Sequence, residues 1–378
     1  VVLLGEEDRD PYEKPPLSKE VLSGAVEPDT KPIVDPAALT AAGVEFLRAA
    51  SVVAVDRQRR VVRLKTGALL SYDALILATG ARARGLASLP LGMPRVHYLR
   101  TAADALVLRS SLQRHGRRPR VVVVGAGLIG LEAAASAAGP STIVLEAGPA
   151  AMSRVCSPEF AGMVVDRHAR GGVQFRFGVT VASARSCENG MVVGLSDGTT
   201  IESDVVIVGI GAQANTDLAV AAGLPVADGI VVDDRCRTAD PSILAAGDVA
   251  QFKTRWCNAP MRLENWRHAL DQGQVAGINA AGGDAAYDNV PSFWSDQYDL
   301  KIQGVGWTDG LASAPLRRVV NDSSLIEFHV RDGRIRYAIG VGMSREINIV
   351  RRLIEREVPV TPQMLSDGSV SLQRLLRS

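Results

Sequence analysis

Cysteine is scarce in this chain of 378 residues: Cys156, Cys187, Cys236 and Cys257 stand far apart, in no C-x-x-C, C-x4-C or histidine-paired spacing. That excludes a redox disulfide pair and a zinc site, and it leaves four small thiols, buried or half-buried. Neither sign of charge is in excess. The 42 basic and 41 acidic residues give a net charge of +1, which argues against a nucleic-acid partner. No apolar run approaches the roughly 18 residues that a membrane span needs. The opening VVLLGEED lacks a basic-then-apolar export signal, so a cytoplasmic enzyme with no membrane partner is expected. Lysine is rare too, with six among the 42 basic residues, yet Lys14 and Lys19 fall in one short segment. What is present is length and apolar content: 47% hydrophobic residues, enough for two or three domains with ample core.

Three short apolar runs end in glycine: residues 75–80 (LILATG), 121–125 (VVVVG) and 205–209 (VVIVG). Near-continuous apolar strands belong to parallel sheets covered on both faces, so the class is α/β. Residues 1–6 (VVLLGE) read as a second strand ending on an acidic residue, with no glycine turn ahead of it. About 25–30 residues, the size of a βα unit, are therefore expected upstream. Residues 57–71 predict a hairpin around Thr66-Gly67, and residues 191–203 predict another around Asp197-Gly198. Each is followed by an aspartate and an apolar strand ending in glycine. That internal repeat implies two similar nucleotide-binding domains. From about Pro291 the texture changes to alternating strands at 324–330 and 335–341 and a helix at 346–357, which predicts an α+β domain.

The motif with the most chemistry is Gly125-Ala126-Gly127-Leu128-Ile129-Gly130. It follows a strand and opens a small-residue helix at 131–138, and a second strand at 142–145 ends in Glu146. The first glycine permits a tight turn, the second lets a pyrophosphate approach the backbone, and the third lets helix and strand pack closely. Glu146 stands where a carboxylate accepts from a ribose 2′-hydroxyl and repels a 2′-phosphate, which favours NADH. Arg154 nearby works against that preference.

In chain order, residues 12–19 (YEKPPLSK), 77–80 (LATG), 125–132 (GAGLIGLE), 245–250 (AAGDVA) and 293–298 (FWSDQY) closely resemble the FAD-dependent ferredoxin reductases of bacterial oxygenase systems. This is the family of putidaredoxin reductase and biphenyl-dioxygenase ferredoxin reductase, and the match covers essentially the whole chain. Mitochondrial apoptosis-inducing factor is a more distant relative. The resemblance implies a glutathione-reductase-like fold with two Rossmann-like three-layer domains plus a C-terminal α+β domain. Residues 1–100 and 233–292 would form the FAD domain, 101–232 the NADH domain and 293–378 the interface domain.

Residue by residue, the resemblance puts FAD on Glu6, Lys14, Pro15, Lys19, Val52, Thr79, Gly80, Arg100, Asp248, Glu264 and Trp266. It puts NAD(H) on Gly125, Gly127, Leu128, Ile129, Gly130, Glu146, Arg154, Gly209 and Gly211. Lys19 and Glu132 would pair to orient the nicotinamide, or form a structural ion pair of little catalytic consequence. Trp294 would lie against the flavin, or be plain core. His268 stands where asparagine is usual, Gln274 replaces a basic residue, and Ala214 stands where proline is usual, which would loosen a turn.

The implied reaction takes a hydride from NADH to FAD and sends single electrons to a [2Fe–2S] ferredoxin serving a cytochrome P450 or Rieske oxygenase. A monomer or weak dimer is expected. Alternative acceptors are rubredoxin and small oxidants, and the alternative from another class is an NADH-sensing flavoprotein. Such ferredoxins are usually acidic, so Arg262, Arg267, Arg317, Arg318, Arg351 and Arg352 are the candidates for a docking patch.

Overall fold

The computed structural model describes residues 1–378 except 31, 115–117, 138, 140, 189, 308–313, 322–323 and 378. The described chain forms two compact units. The first comprises Val1–Pro16, Val26–Arg82 and Ala212–Asn289; the second comprises Leu17–Ala25, Ala83–Gly211 and Val290–Ser378.

In the first unit, Val2–Leu4 pairs in parallel with Glu45–Leu47, and Leu75–Leu77 pairs in parallel with Ile243–Ala245. Both are two-stranded, and Val2, Leu3 and Ile76 are exposed. The first expected hairpin is present as Val61–Leu64 with Leu69–Ser71, extended to three strands by Val52–Asp56. Leu244, Ala246 and Ala276 gather with Cys236 in a small core, which joins the strand Ile243–Ala245 to the helix Trp266–Ala280. That helix begins where the side chain of Asn265 accepts from the N–H of His268 at 2.9 Å, a capping contact that satisfies one orphan donor of the first turn.

The second unit is built on a five-stranded parallel sheet. Its order is Gln174–Phe177, Thr142–Glu146, Val121–Val124, Val205–Val208 and Val96–Tyr98. The two VVVV-like central strands are buried at every residue, as continuous apolar runs require when both faces are covered. The second hairpin, Gly190–Leu195 with Thr200–Ser203, is again extended to three strands, by Val181–Cys187. The architectural repeat predicted from sequence is thus present in both units.

The C-terminal part is an antiparallel sheet ordered Ser292–Gln297, Leu300–Gly306, Arg334–Val341, Ser324–Arg331 and Leu316–Asn321, with the helix Ser344–Glu355 against it. Its Ile302, Tyr337, Ile339 and Val341 share one core with Val121, Leu131, Val144, Phe160 and Ile207 of the parallel sheet and its helices. Each such aliphatic or aromatic side chain contributes roughly 1.5–3 kcal/mol by burial, so this continuous core binds the C-terminal sheet firmly to the dinucleotide fold. At its edge, Arg318 donates through Nε to Leu365 O, through Nη1 to Val370 O and through Nη2 to Met364 O. Among the described residues, no helix is long and apolar enough to cross a membrane.

Candidate functional site

The glycine motif is where local geometry speaks most directly. The helix opens at Leu128 and runs to Ser136, three residues earlier than the sequence suggested, because Gly127 is its N-cap. Residue 138, part of the expected helix, lies outside the described residues. Gly125 has φ +102°, a conformation that favours glycine, and a Cβ there would sit 2.5 Å from Gly209 O. A Cβ on Gly130 would sit 2.1 Å from Gly125 O, so helix and strand meet with no room for a methyl group. Around Gly127 the opposite holds: nothing lies within 4 Å of where its Cβ would be, and no side chain caps the helix it begins. An open, uncapped helix N-terminus with free approach to the backbone is what a pyrophosphate needs, so the residues present fit a dinucleotide.

Glu146 ends the neighbouring strand. Its Oε2 accepts from Ala126 N and its Oε1 from Gly148 N, both at 2.8 Å, which fixes the carboxylate beside the glycine turn. Arg154 is exposed and Gly211 has φ +104° with open space at its Cβ position.

Lys19 and Glu132 are brought together, but not as a simple pair. Lys19 Nζ is 3.1 Å from Asp296 Oδ2 and 4.0 Å from Glu132 Oε1. Glu132 is only 4% exposed, and both its oxygens are engaged: Ser18 Oγ donates to Oε2 at 2.5 Å and Ser295 Oγ to Oε1 at 2.7 Å. Burial pushes the Glu132 carboxyl up from its ordinary value, while Lys19 and the two hydroxyls pull the other way. The roles of Ser18, Ser295 and Asp296 escape a linear reading, since the hydroxyls come from 114 and 163 positions away. One signal was available: Ser295 and Gln297 alternate on a strand, placing polar groups on its buried face.

In the first unit lie Glu6, Lys14, Pro15, Val52, Thr79, Gly80, Asp248, Glu264 and Trp266; Lys19, Arg100 and Trp294 belong to the second. Ser51 Oγ donates to Glu6 Oε1 at 3.3 Å, and Lys14 Nζ donates to Glu7 Oε1 at 3.3 Å while lying 4.9 Å from the centre of the Tyr12 ring. Thr79 Oγ1 donates to Asn215 O at 2.7 Å, and Asn215 Nδ2 donates to Thr79 O at 2.8 Å. Ala214, next to this fastened pair, is 4% exposed in the strand Ala212–Ala214. Gly247 has φ +79°, and its N–H donates to Gln272 Oε1 at 2.8 Å. Val52 lies in its strand, Glu264 holds Arg262, and Trp266 opens the long helix, whose positive end suits an anionic ring.

His268 is buried, stacked on Phe252 at 5.2 Å, with Nδ1 2.8 Å from Tyr287 Oη. Burial pushes its imidazole down to about 4, with Asp248, the Gly247 backbone and Asp271 opposing. Because the folded value lies below the ordinary 6.5, the unfolded chain takes the proton first as pH falls. This residue's contribution to stability is complete above about pH 6.5 and is lost progressively towards pH 4, by roughly 3 kcal/mol in all. Urea titrations of the wild type and His268→Asn across that range are expected to show a shallower acid slope in the variant.

Three of the six docking arginines are committed elsewhere. Arg262 has a side chain 6% exposed and bonds Asp228 and Glu264; Arg317 bonds Glu159 and the buried Glu327; Arg318 spends its donors on three carbonyls. Only Arg267 and Arg352 of the six are exposed. Gln274 is exposed as well, on the same helix as Arg267.

Comparison with known proteins agrees with this geometry. Residues 292–376 match the family described as reductase C-terminal. The chain is 38% identical to the ferredoxin–NAD(+) reductase component of the anthranilate 1,2-dioxygenase system of Burkholderia cepacia, over 100% of its own length and 93% of the relative's. Among solved structures it is similar to the ferredoxin reductase for the CYP199A2 system from Rhodopseudomonas palustris, with TM-score 0.92, 34% identity and coverage of 99% and 92% of the two chains. It is equally similar to the reductase chain of the covalent putidaredoxin reductase–putidaredoxin complex, with TM-score 0.92, 32% identity and coverage of 100% and 91%. Residues 1–273, which carry the glycine turn and both parallel-strand systems, match a single family throughout, and the chain belongs to the pyridine nucleotide-disulphide oxidoreductases.

Proposed function

We propose that this chain is an NADH:ferredoxin oxidoreductase that holds FAD and delivers electrons from NADH to a [2Fe–2S] ferredoxin, which in turn serves a cytochrome P450 or a Rieske oxygenase. The observation that carries the proposal is the unobstructed backbone at Gly127 ahead of a helix N-terminus, in a chain aligned end to end with ferredoxin reductases. Residues 101–232 are assigned to NADH, 1–100 and 233–292 to FAD, and 293–378 to the acceptor side. The cytoplasm is the proposed location.

FAD, when bound, supplies a two-electron acceptor that can release electrons singly. The protein's own residues bind and orient. Gly127 admits the pyrophosphate, the Leu128–Ser136 helix end faces its charge, and Glu146 offers a carboxylate to the ribose. Lys19 and Glu132 orient the nicotinamide; Trp294, half-buried on the strand Ser292–Gln297, stands on the acceptor side. Glu6, Lys14, Pro15, Val52, Thr79, Gly80, Asp248, Glu264 and Trp266 are the FAD residues of the first unit. Cysteine chemistry is a poor candidate for the output despite the family's name. Cys156 and Cys236 are buried, and burial pushes each thiol up to about 12, so neither is a thiolate at neutral pH.

The test is spectroscopic. Purified chain reconstituted with FAD should bleach on anaerobic NADH and then reduce cytochrome c only when a [2Fe–2S] ferredoxin is added. A flavoprotein that works equally well with rubredoxin or oxygen, or that turns over slowly and dimerises on NADH, would overturn the ferredoxin assignment. Glu146→Ser is expected to raise KM for NADH about tenfold while lowering KM for NADPH, because a hydrogen-bond acceptor and a like charge are removed together. Steady-state kinetics with ferricyanide as acceptor reads both.

A further inference from the structure

The strand Ser292–Gln297 turns Ser295 and Gln297 inward, and both are completely buried. Buried polar side chains cost free energy unless they are hydrogen-bonded, and these are bonded in series. His168, on the helix Pro158–Arg170, has its Nε2 2.9 Å from Gln297 Oε1. Gln297 Nε2 donates to Ser295 Oγ at 3.1 Å, and Ser295 Oγ donates to Glu132 Oε1 at 2.7 Å. The direction follows from the end member. A carboxylate only accepts, so the Ser295 hydroxyl is spent on it and must accept from Gln297; the Gln297 oxygen then faces His168, whose Nε2 must carry the proton. His168 Nδ1 is the bare nitrogen, and it has no hydrogen-bond partner among the described residues.

We infer that Ser295, Gln297 and His168 are positioning residues, a one-way hydrogen-bond chain that holds Glu132 as an anion and so keeps Lys19 drawn towards it. The consequence for hydride transfer rests on the proposed function; the chain itself does not. The need for such a chain is visible in the sharing of Lys19. Its ammonium lies closer to Asp296 than to Glu132, so the buried carboxylate receives only part of a counter-charge. Neutral donors must supply the rest. The charged groups facing Glu132 are Lys19, from the segment before the short helix Glu20–Ser23, and Asp296, from the strand, whose main chain also hydrogen-bonds the carboxyl. From the helix Pro158–Arg170 the chain ends on His168, which burial keeps below its ordinary value and therefore neutral. If Glu132 took a proton, Lys19 would lose its inner partner and keep only Asp296 at the half-exposed side.

Two spectroscopic readouts test this without relying on turnover. In 15N-histidine NMR spectra of the FAD-loaded protein, His168 is expected as the neutral Nε2–H tautomer. Infrared spectra subtracted against Glu132→Gln report the protonated-carboxyl stretch of Glu132, and its titration is expected to move upward by about one pH unit or more in Ser295→Ala, a tenfold change in the proton equilibrium. Ser295→Thr, which keeps the hydroxyl, restores the wild-type titration. Should Ser295→Ala not fold, Gln297→Leu removes the donor one link further out and moves the titration in the same direction. In the same variants, NADH-driven flavin reduction at neutral pH falls and recovers at higher pH, with KM for ferredoxin unchanged. An unmoved Glu132 titration in Ser295→Ala, or an Nδ1–H tautomer at His168, overturns the inference. A wild-type protein that reduced no ferredoxin would count against the proposed function alone, because both spectra survive it.

Discussion

Gly130→Ala is expected to lower NADH-dependent reduction of the flavin at least a hundredfold while FAD content stays at one per chain. The added methyl would lie 2.1 Å from Gly125 O, well inside any real carbon–oxygen contact, and that partner is backbone at a turn already committed to φ +102°. Helix and strand must separate, at the 1–3 kcal/mol or more typical of overpacking, and the separation moves the N–H groups that face the pyrophosphate. FAD content is spared because most residues assigned to it lie in the other unit. Gly127→Ala makes the matching contrast. Its φ of −78° is ordinary for an L-residue and its surroundings are open, so stability changes by less than about 1 kcal/mol. The methyl nevertheless occupies the approach to the backbone, and KM for NADH should rise about tenfold. Stopped-flow absorbance and thermal unfolding, run on both variants, separate loss of fold from loss of binding. If both lost only stability, the turn would be a packing device and nothing more.

Arg317→Ala is expected to lower the melting temperature by roughly 4–6 °C and to leave KM for ferredoxin where it was. Glu327 is fully buried. Ser157 Oγ donates to its Oε1 at 2.7 Å, and the guanidinium of Arg317 approaches the same oxygen at 2.8–2.9 Å. Removing the cation strands a buried carboxylate, a change that costs about 3–5 kcal/mol when the pair is fully enclosed. Arg317 is 37% exposed along its side chain, so about 3 kcal/mol is the appropriate expectation here. The double variant Arg317→Met/Glu327→Leu should regain much of the loss, because an apolar pair leaves no charge behind. Calorimetry reads the stability, and cytochrome c reduction at varied ferredoxin reads the docking. A rise in KM with unchanged melting would reinstate Arg317 as a docking residue.

The contrast between these two sites shows which physics a linear sequence carries. The glycine turn was legible because its requirements are local: an apolar strand, three glycines at fixed offsets and an acidic strand end all fall within about 25 residues. The hairpins were legible for the same reason. The helix start at the glycine turn was misplaced, and there the deciding fact was that Gly127 itself serves as the cap. The arginines were illegible because a guanidinium's fate depends on distant partners. Arg318 finds its acceptors 46 to 52 positions away, and Arg262 meets Asp228 34 positions back. Glu132 combines both cases. Its place on the helix is written in the motif, whereas the two hydroxyls and the second carboxylate that define its chemistry come from the first and last of the second unit's three segments.

Arg318 bears on how the polypeptide resists degradation. Its guanidinium is held inside by the main-chain oxygens of residues 364, 365 and 370, with 5% of the residue in contact with solvent. Cleavage within this stretch would take away the three acceptors of a buried guanidinium and part it from the helix Leu372–Leu375, whose two leucines are buried, so the edge of the sheet should collapse in one step. Limited digestion would yield a nearly intact species and small fragments, with little in between.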